Sequence, residues 1–554
     1  MPDRGSDPIV VEGADVARLI GAAPGDVVAF RFDRGWRQVP VQVDERAIVD
    51  YEAVRQDGQG SPFSHLAYTD PDTFAGPDPD PAVDADDEIA AMAMDAGGRR
   101  PVDAADPKSV QDRTRVELVI TDPLGTGEPR YLYLFRSGGS LDPAAGRDYV
   151  DYDFRLLSGD YRSTFDFDGV GDNQGPPANP EDSLVSTEDY TQHLYSRWIG
   201  DGLGVRAGGA SGVDILDGDK AQVSYGCGRA EVTFARGGGG YIANIDGPVR
   251  AIRSYIGANS GTYTQRDHVY YRSSEVTTTY LRVHPGISTI TQFLDYSAAA
   301  DGMTYRNSAQ PLGVTIDGVP DPSLETGNSM GPQLTWEQVS GGQGTVTVIN
   351  RALTNMPGVT IGSYYQDNLT PSTQQCTGYA DAEAHGASGA TVTNAGQNTD
   401  PTLGAAFDFT GTRTNYFSAP GGDAALAERR SAQVDAPLQV GLAGPPPRVP
   451  VTIRAPDVKR IRPSGRSKVL LRLTGNSDSP IAKTRVCGRA NKALLHVFRC
   501  AKLENVKRGQ TKKAAIFVNL RKAGREKGSV TLRLRAEIAG FRPARDSIEL
   551  KPKR

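Results

Sequence analysis

Six residues of the segment RDHVYYRSSEVTTTYLRVHPG, residues 266–286, carry groups that could act together: His268, Tyr270, Arg272, Tyr280, Arg282 and His284. All are even-numbered, and side chains of a strand alternate between faces. They therefore gather on one side, with Val269, Tyr271, Leu281 and Val283 on the other. A hairpin turning near Glu275 would set His268 opposite Arg282 and Tyr270 opposite Tyr280. Two tyrosines can stack on sugar rings while arginine and histidine bind carboxylate or hydroxyl groups. Elimination from a uronic acid needs this mixture: a cation to offset the acid group, and Tyr or His to remove the C5 proton. The six are the predicted catalytic residues, on one open, concave face. The plainer alternative is an amphipathic hairpin with a wet outer side, which antiparallel sheets commonly present. His193, Tyr195 and Arg197 repeat the His-x-Tyr-x-Arg spacing, as a second strand lining the same cleft would. Trp36, Trp198 and Trp336 are candidate sugar platforms, although strand tryptophans are more often core residues.

A second group suggests calcium. Asp166, Asp168 and Asp172 stand in DFDGVGDN, which resembles the start of a D-x-D-G-x-x-D calcium loop whose glycine permits a sharp turn. The glutamate expected at the twelfth position is replaced by Pro177, so an EF-hand is excluded while an irregular Ca2+ site is not. The acidic run from Asp70 to Asp95, densest at Asp84–Asp87, is a lesser candidate; such a run is more often a solvated loop. No G-x-S-x-G, P-loop, H-E-x-x-H or dinucleotide fingerprint occurs, which disfavours α/β-hydrolases, nucleotide enzymes and zinc proteases.

The elements that must position these residues read as strands. VVAFRF, RQVPVQV, RVELVIT, RYLYLFR, HVYYRS, TITQFLDY, QLTWEQV and GTVTVINRA are short, β-branched or aromatic, and bounded by turn formers. Helical periodicity is confined to DEIAAMAMDA and DAALAERRSA. The predicted class is an all-β, multi-domain β-sandwich protein. A β-rich N-terminal domain is expected over residues 1–140, a large sandwich over 141–440 and a Pro-rich linker over 441–448. A basic immunoglobulin-like domain completes the chain over 449–554.

Charge marks the last boundary. Residues 449–554 hold 28 Lys+Arg against 7 Asp+Glu, a balance of +21, and the remainder of the chain carries −27. Seven strand-like segments there fit an immunoglobulin-like sandwich. The order of Gly475-Asn476, RVCGRA, a second Cys, GQTKK and a closing RLRAEI resembles the CARDB-type adhesion-related modules at the C-termini of secreted bacterial proteins. That resemblance covers about a fifth of the chain and implies a surface-associating accessory module. In the body, GWRQVPVQVDER, DADDEIAAMAMDAG and DGPVRAIRSYIGANSG resemble segments of uncharacterised secreted β-sandwich proteins near carbohydrate-active enzymes.

Four cysteines and no C-x-x-C argue for disulfides rather than thiolate zinc, hence an oxidising compartment. Cys487 and Cys500 flank neighbouring strand-like segments and form one predicted bond; Cys227 and Cys376 are the other candidate pair. The chain starts MPDRGSDPIVVEG without a signal peptide, and no apolar run approaches the roughly 20 residues that cross a bilayer. The expected partner is an extracellular polysaccharide or cell-wall polymer. Nucleic acid is not expected, because the basic domain lacks interleaved aromatics. Two functions follow: a secreted carbohydrate-active enzyme, most concretely a polysaccharide lyase on an acidic glycan, or a non-catalytic surface adhesion protein with structural calcium. The enzyme needs the His/Tyr/Arg face to line a cleft; an adhesin can present it flat.

Overall fold

Alternating apolar residues at period two become strands throughout, in a chain described here by a computed structural model. The structure describes residues 4–55, 64–125, 127–157, 180–224, 240–256, 264–282, 289–326, 330–354, 358–370, 383–393, 408–444, 451–475, 481–498, 500–507, 509–537 and 543–553. The fold is an all-β, multi-domain sandwich. No helix among the described residues is long and apolar enough to cross a membrane. The chain divides into two compact units: residues 1–442 without Phe32–Gly35 and Gly97–Pro107, and those two segments together with Ala443–Arg554.

In the first unit, strands Pro8–Glu12, Glu88–Met92 and Gln42–Asp44 form one small sheet. A five-stranded sheet runs in the order Gln439–Leu442, Val116–Thr121, Arg130–Arg136, Val27–Phe32, Trp36–Val39. Between them Ile9, Val27, Ile89, Leu118 and Leu132 form an apolar core of their own. The predicted boundary near residue 140 therefore falls within one compact unit, inside which the N-terminal strands keep a separate core. DEIAAMAMDA, expected to be helical, is instead the strand Glu88–Met92 followed by a single 3-10 turn. It is the central strand of its sheet and buried along nearly its whole length, and that environment overrides the helix propensity of alanine and methionine. The other helical segment does form, as Ala424–Asp435, with the Asp423 side chain accepting from the Leu426 N–H at its start.

The element that positions the candidate site is a nine-stranded antiparallel sheet. Its order is Gly240–Ile245, Ala251–Ile256, Thr264–Tyr271, Ser274–Arg282, Asp408–Ser418, Gly344–Thr354, Glu337–Gly341, Thr304–Asn307, Val314–Thr315. Two four-stranded sheets belong to the same unit, one running from Val150–Asp153 to Gly200–Val205 in chain order, the other pairing Leu216–Ser224, Thr289–Tyr296, Ala384–Thr393 and Thr360–Asn368.

The second unit is a sandwich. One sheet orders Val451–Arg454, Ser467–Gly475, Thr511–Leu520 and Leu495–Val497. The other orders Val458–Ile461, Ala544–Pro552, Val530–Glu537, Ile481–Arg489 and Ala501–Val506. Val469, Leu471, Val486, Ile516, Leu532 and Leu550 meet in its core. Cys487 and Cys500 are bonded, with Cα atoms 4.4 Å apart, because Val486 pairs with Ala501 and carries the two cysteines into opposition.

Candidate functional site

The hairpin that carries the six predicted residues turns at Arg272–Ser273, not near Glu275. His268 consequently faces Thr277 and Tyr270 faces Glu275, while Tyr280 faces Gln265. The pairing is displaced by five residues from the expected register. An odd displacement moves the whole second strand to the other side of the sheet. His268 and Tyr270 share one face; Tyr280 lies on the opposite one, where its ring stands 5.7 Å from that of His65. Arg272 sits in the turn itself and pairs with Glu188 at 2.8 Å. The expectation of one open face is thus corrected: the set is divided, and His268 (4% exposed) and Tyr270 (0%) are enclosed. His284 lies outside the described residues, as do Asp166, Asp168 and Asp172 and the cysteines Cys227 and Cys376; of Arg282 only the backbone is described.

What the sheet assembles around His268 is a polar ladder. Straight across five strands, Arg253, His268, Thr277, Arg413 and Asn350 stand opposite one another. In the next row Tyr270, Glu275, Asn415, Val348 and Glu337 do the same. Arg253, Arg413 and Glu275 on this buried face each have hydrogen-bonded partners. The Arg253 guanidinium donates to Glu181, to the Tyr152 hydroxyl at 3.1 Å and to the Arg197 carbonyl at 3.0 Å. Arg413 forms a two-pronged pair with Asp219, one prong at 2.8 Å. His268 Nδ1 lies 2.8 Å from Glu275 Oε1, and its Nε2 lies 2.9 Å from the Tyr255 hydroxyl. Asn415 donates to the other Glu275 oxygen at 2.9 Å. Burial lowers the His268 pKa even against Glu275, so the imidazole is neutral. Burial raises the Glu275 carboxyl, but its His268 contact and the nearby Arg413 charge outweigh that and hold it below the ordinary range.

At its far end the ladder opens. A cavity of about 430 Å³ is lined by Trp336, Glu337, Asn350, Arg351, Ile361 and Ser363, among others. Glu337 accepts from Asn350 Nδ2 at 3.0 Å and from the Tyr305 hydroxyl at 3.1 Å. Burial pushes its pKa up to about 8; the Tyr305 and Asn350 hydrogen bonds and the Arg413 charge offset only part of that. The carboxyl is therefore protonated at neutral pH and can donate as well as accept. At the rim Arg351 grips Asp435 through two hydrogen bonds of 2.8 and 2.9 Å. Gly362 and Gly389 complete the wall; a Cβ on Gly389 would stand 2.0 Å from the Gln292 carbonyl oxygen, so that position admits no side chain.

The remaining predicted positions resolve separately. His193 is half-buried between Asp201 at 2.5 Å and Asp182 at 3.0 Å, whereas Arg197 is fully enclosed. The repeated spacing therefore does not line one cleft. Trp198 and Trp336 are core residues, 4% and 3% exposed, and Trp36 packs edge-on to Tyr133 at 4.9 Å. In the acidic run, Asp70, Asp78, Asp84 and Asp87 each accept backbone N–H groups within or beside their own turns. Among the described residues no three His, Cys, Asp or Glu side chains converge as a metal site.

Glu337 was missed, yet it left a signal. In QLTWEQV it shares its side of the strand with Val339, an acid standing in an apolar register. Arg253 in AIRSYI, a strand buried at every position, left the same one.

No protein-family model matches the chain, and no curated protein matches it. Among solved structures it is similar to an α-mannosidase from Enterococcus faecalis V583, at TM-score 0.38 and 8% identity over 92% of this chain and 54% of that one. A Paenibacillus xanthan lyase gives TM-score 0.19 at 8% identity, over 65% of this chain and 32% of the lyase. The C-terminal domain of a Streptococcus agalactiae AgI/II polypeptide gives TM-score 0.13 at 9% identity, over 45% of this chain and 99% of that domain. The chain thus spans about half of the mannosidase and a third of the lyase. At these superpositions the likenesses bear on neither the site nor the activity.

Proposed function

We propose that this chain is an exported glycan-binding protein whose body holds a sugar segment in the Glu337 cavity. One observation carries the reading: a protonated, buried carboxyl at the cavity wall, fixed by Asn350 and Tyr305. Sugar hydroxyls both donate and accept, and a neutral carboxyl beside an amide answers both needs without bringing an unpaired charge into a buried site. The volume lies within the usual range of small-molecule sites, and Leu334, Val348 and Ile361 supply apolar wall for a ring face. The disulfide in the second unit fits an oxidising compartment.

A catalytic version of the same reading is favoured by the Glu337 pKa. A carboxyl protonated at neutral pH is the general acid that glycosidic cleavage requires. The lyase alternative needs a base and a cation open to one sugar, and the enclosure of His268 and Tyr270 leaves neither of these two open to one.

Isothermal titration against a panel of neutral and acidic oligosaccharides, with a parallel assay for reducing ends and unsaturated products, tests the proposal. Glu337→Gln keeps the neutral shape and hydrogen-bonding groups, so it should retain binding within a fewfold, while Glu337→Ala and Asn350→Ala should each weaken it by tenfold or more. If Glu337 is the acid, Glu337→Gln binds but does not turn over. Equal affinity in native protein and Glu337→Ala would remove the cavity from the function.

A further inference from the structure

The second unit carries 28 Lys+Arg in its 449–554 span, and its two sheets treat them differently. On the outer side of the five-stranded sheet two cations have anions beside them: Arg535 pairs with Glu537, and Lys551 with Glu549 at 3.3 Å. On the outer side of the four-stranded sheet they do not. Arg454, Arg472 and Lys513 stand directly opposite one another across three strands. All three are exposed. Lys468, also exposed, lies four residues from Arg472 on the same face. None of the four has an anionic partner among the described residues. The adjoining Arg466 is exposed and spreads its guanidinium over Phe517, 4.0 Å from the ring centroid, and Phe498 at 4.8 Å.

Like charges in direct cross-strand opposition destabilise a sheet. The other sheet of this unit also sets cations opposite one another, Arg489 against Arg533 and Arg535 against Arg545, but it places Glu537 and Glu549 among them, whereas the described strands of the four-stranded face present no acid there. Adjacent strands are about 4.8 Å apart, so the three opposed cations lie within about 10 Å across the sheet, while Lys468 to Arg472 extends the patch about 13 Å along it. Such a field attracts a partner carrying several negative charges in sequence.

We propose that this face is a docking surface for an acidic polysaccharide. The patch runs along and across the strands of one sheet face, which suits an extended chain lying on it. Sequence-tolerant nucleic-acid binding uses open aromatic faces for base stacking, and here Arg466 already covers both phenylalanines. The inference stands independently of the Glu337 cavity, which belongs to the other unit.

The test uses the full chain and sodium polygalacturonate, with dextran as the uncharged polymer and single- and double-stranded DNA as the phosphate polymers, across a series of salt concentrations. The variant Arg454→Gln/Arg472→Gln/Lys513→Gln should bind polygalacturonate at least tenfold more weakly. Its salt dependence should become shallower by about three, one for each cation removed. Arg489→Gln/Arg533→Gln, on the other sheet, should change affinity much less. Because opposed charges are relieved, the triple variant should melt no lower than native protein. The charge-conserving Arg454→Lys/Arg472→Lys/Lys513→Arg should keep the binding. Unchanged affinity in the triple-Gln variant, loss of affinity in the charge-conserving one, or dextran binding as tight as polygalacturonate would each overturn the proposal. So would DNA binding tighter than polygalacturonate at equal charge and salt.

Discussion

Tyr270 is fully buried, and its hydroxyl has no hydrogen-bond partner among the described residues. Leaving such a group unsatisfied costs about 1–3 kcal/mol, so Tyr270→Phe should stabilise the protein, by about 1 kcal/mol in urea unfolding. His268→Ala should act oppositely. It strips Glu275 and the Tyr255 hydroxyl of their partner inside the sheet, and leaving a buried polar group unsatisfied costs about 1–3 kcal/mol. If both substitutions leave the midpoint unchanged, these residues do not sit in the packed interior. Glu337 carries a pH signature. Its folded pKa of about 8 lies above the ordinary 4.5, so the folded state holds a proton that the unfolded chain has released. Its stabilising contribution is full below about pH 4.5 and is lost as pH rises to about 8. Glu337→Gln should flatten that slope and gain on the order of a few kcal/mol near pH 8, read as midpoint against pH.

At the scale of elements, the hairpin holds the sharpest lesson. The two strands are legible from alternation. The turn was not legible, because Arg272-Ser273 is no Asn-Gly or Asp-Gly pair and nothing local favours it over a turn near Glu275. Its position is chosen by pairing on both outer edges: Ala251–Ile256 registers His268 to Arg253, and Asp408–Ser418 registers Thr277 to Arg413. The second sandwich was more legible, since seven of its nine strands coincide with alternating runs; Val458–Ile461 and Ala501–Val506 are too short or too polar to announce themselves. The disulfide ties the strand Ile481–Arg489 to the residue just before Ala501–Val506 and should be worth about 3 kcal/mol in the loop-entropy view.

For the whole molecule, two compact units with separate apolar cores imply separable unfolding. Scanning calorimetry should resolve two transitions. Cys487→Ser/Cys500→Ser should lower one and leave the other within a degree or so. A single transition that shifts as one would show instead that the units unfold together. The charge division runs the same way, with the cations concentrated in the second unit and the buried ion pairs Arg253–Glu181 and Arg413–Asp219 in the first.

By itself the sequence determined what local chemistry can determine: β structure from two-residue alternation, the basic C-terminal unit from its charge, and the Cys487–Cys500 bond from cysteines beside neighbouring strands. Each is a property of short spans. Which residues meet was decided only by the tertiary structure, because register is set by strands distant in the chain. Glu337 reaches Asn350 across one strand pair, and His268 reaches Arg413 only through Thr277 on the strand between them. Glu337 became a proton-holding carboxyl for the same reason: its pKa comes from burial, and burial is a property of the assembled sheets rather than of QLTWEQV.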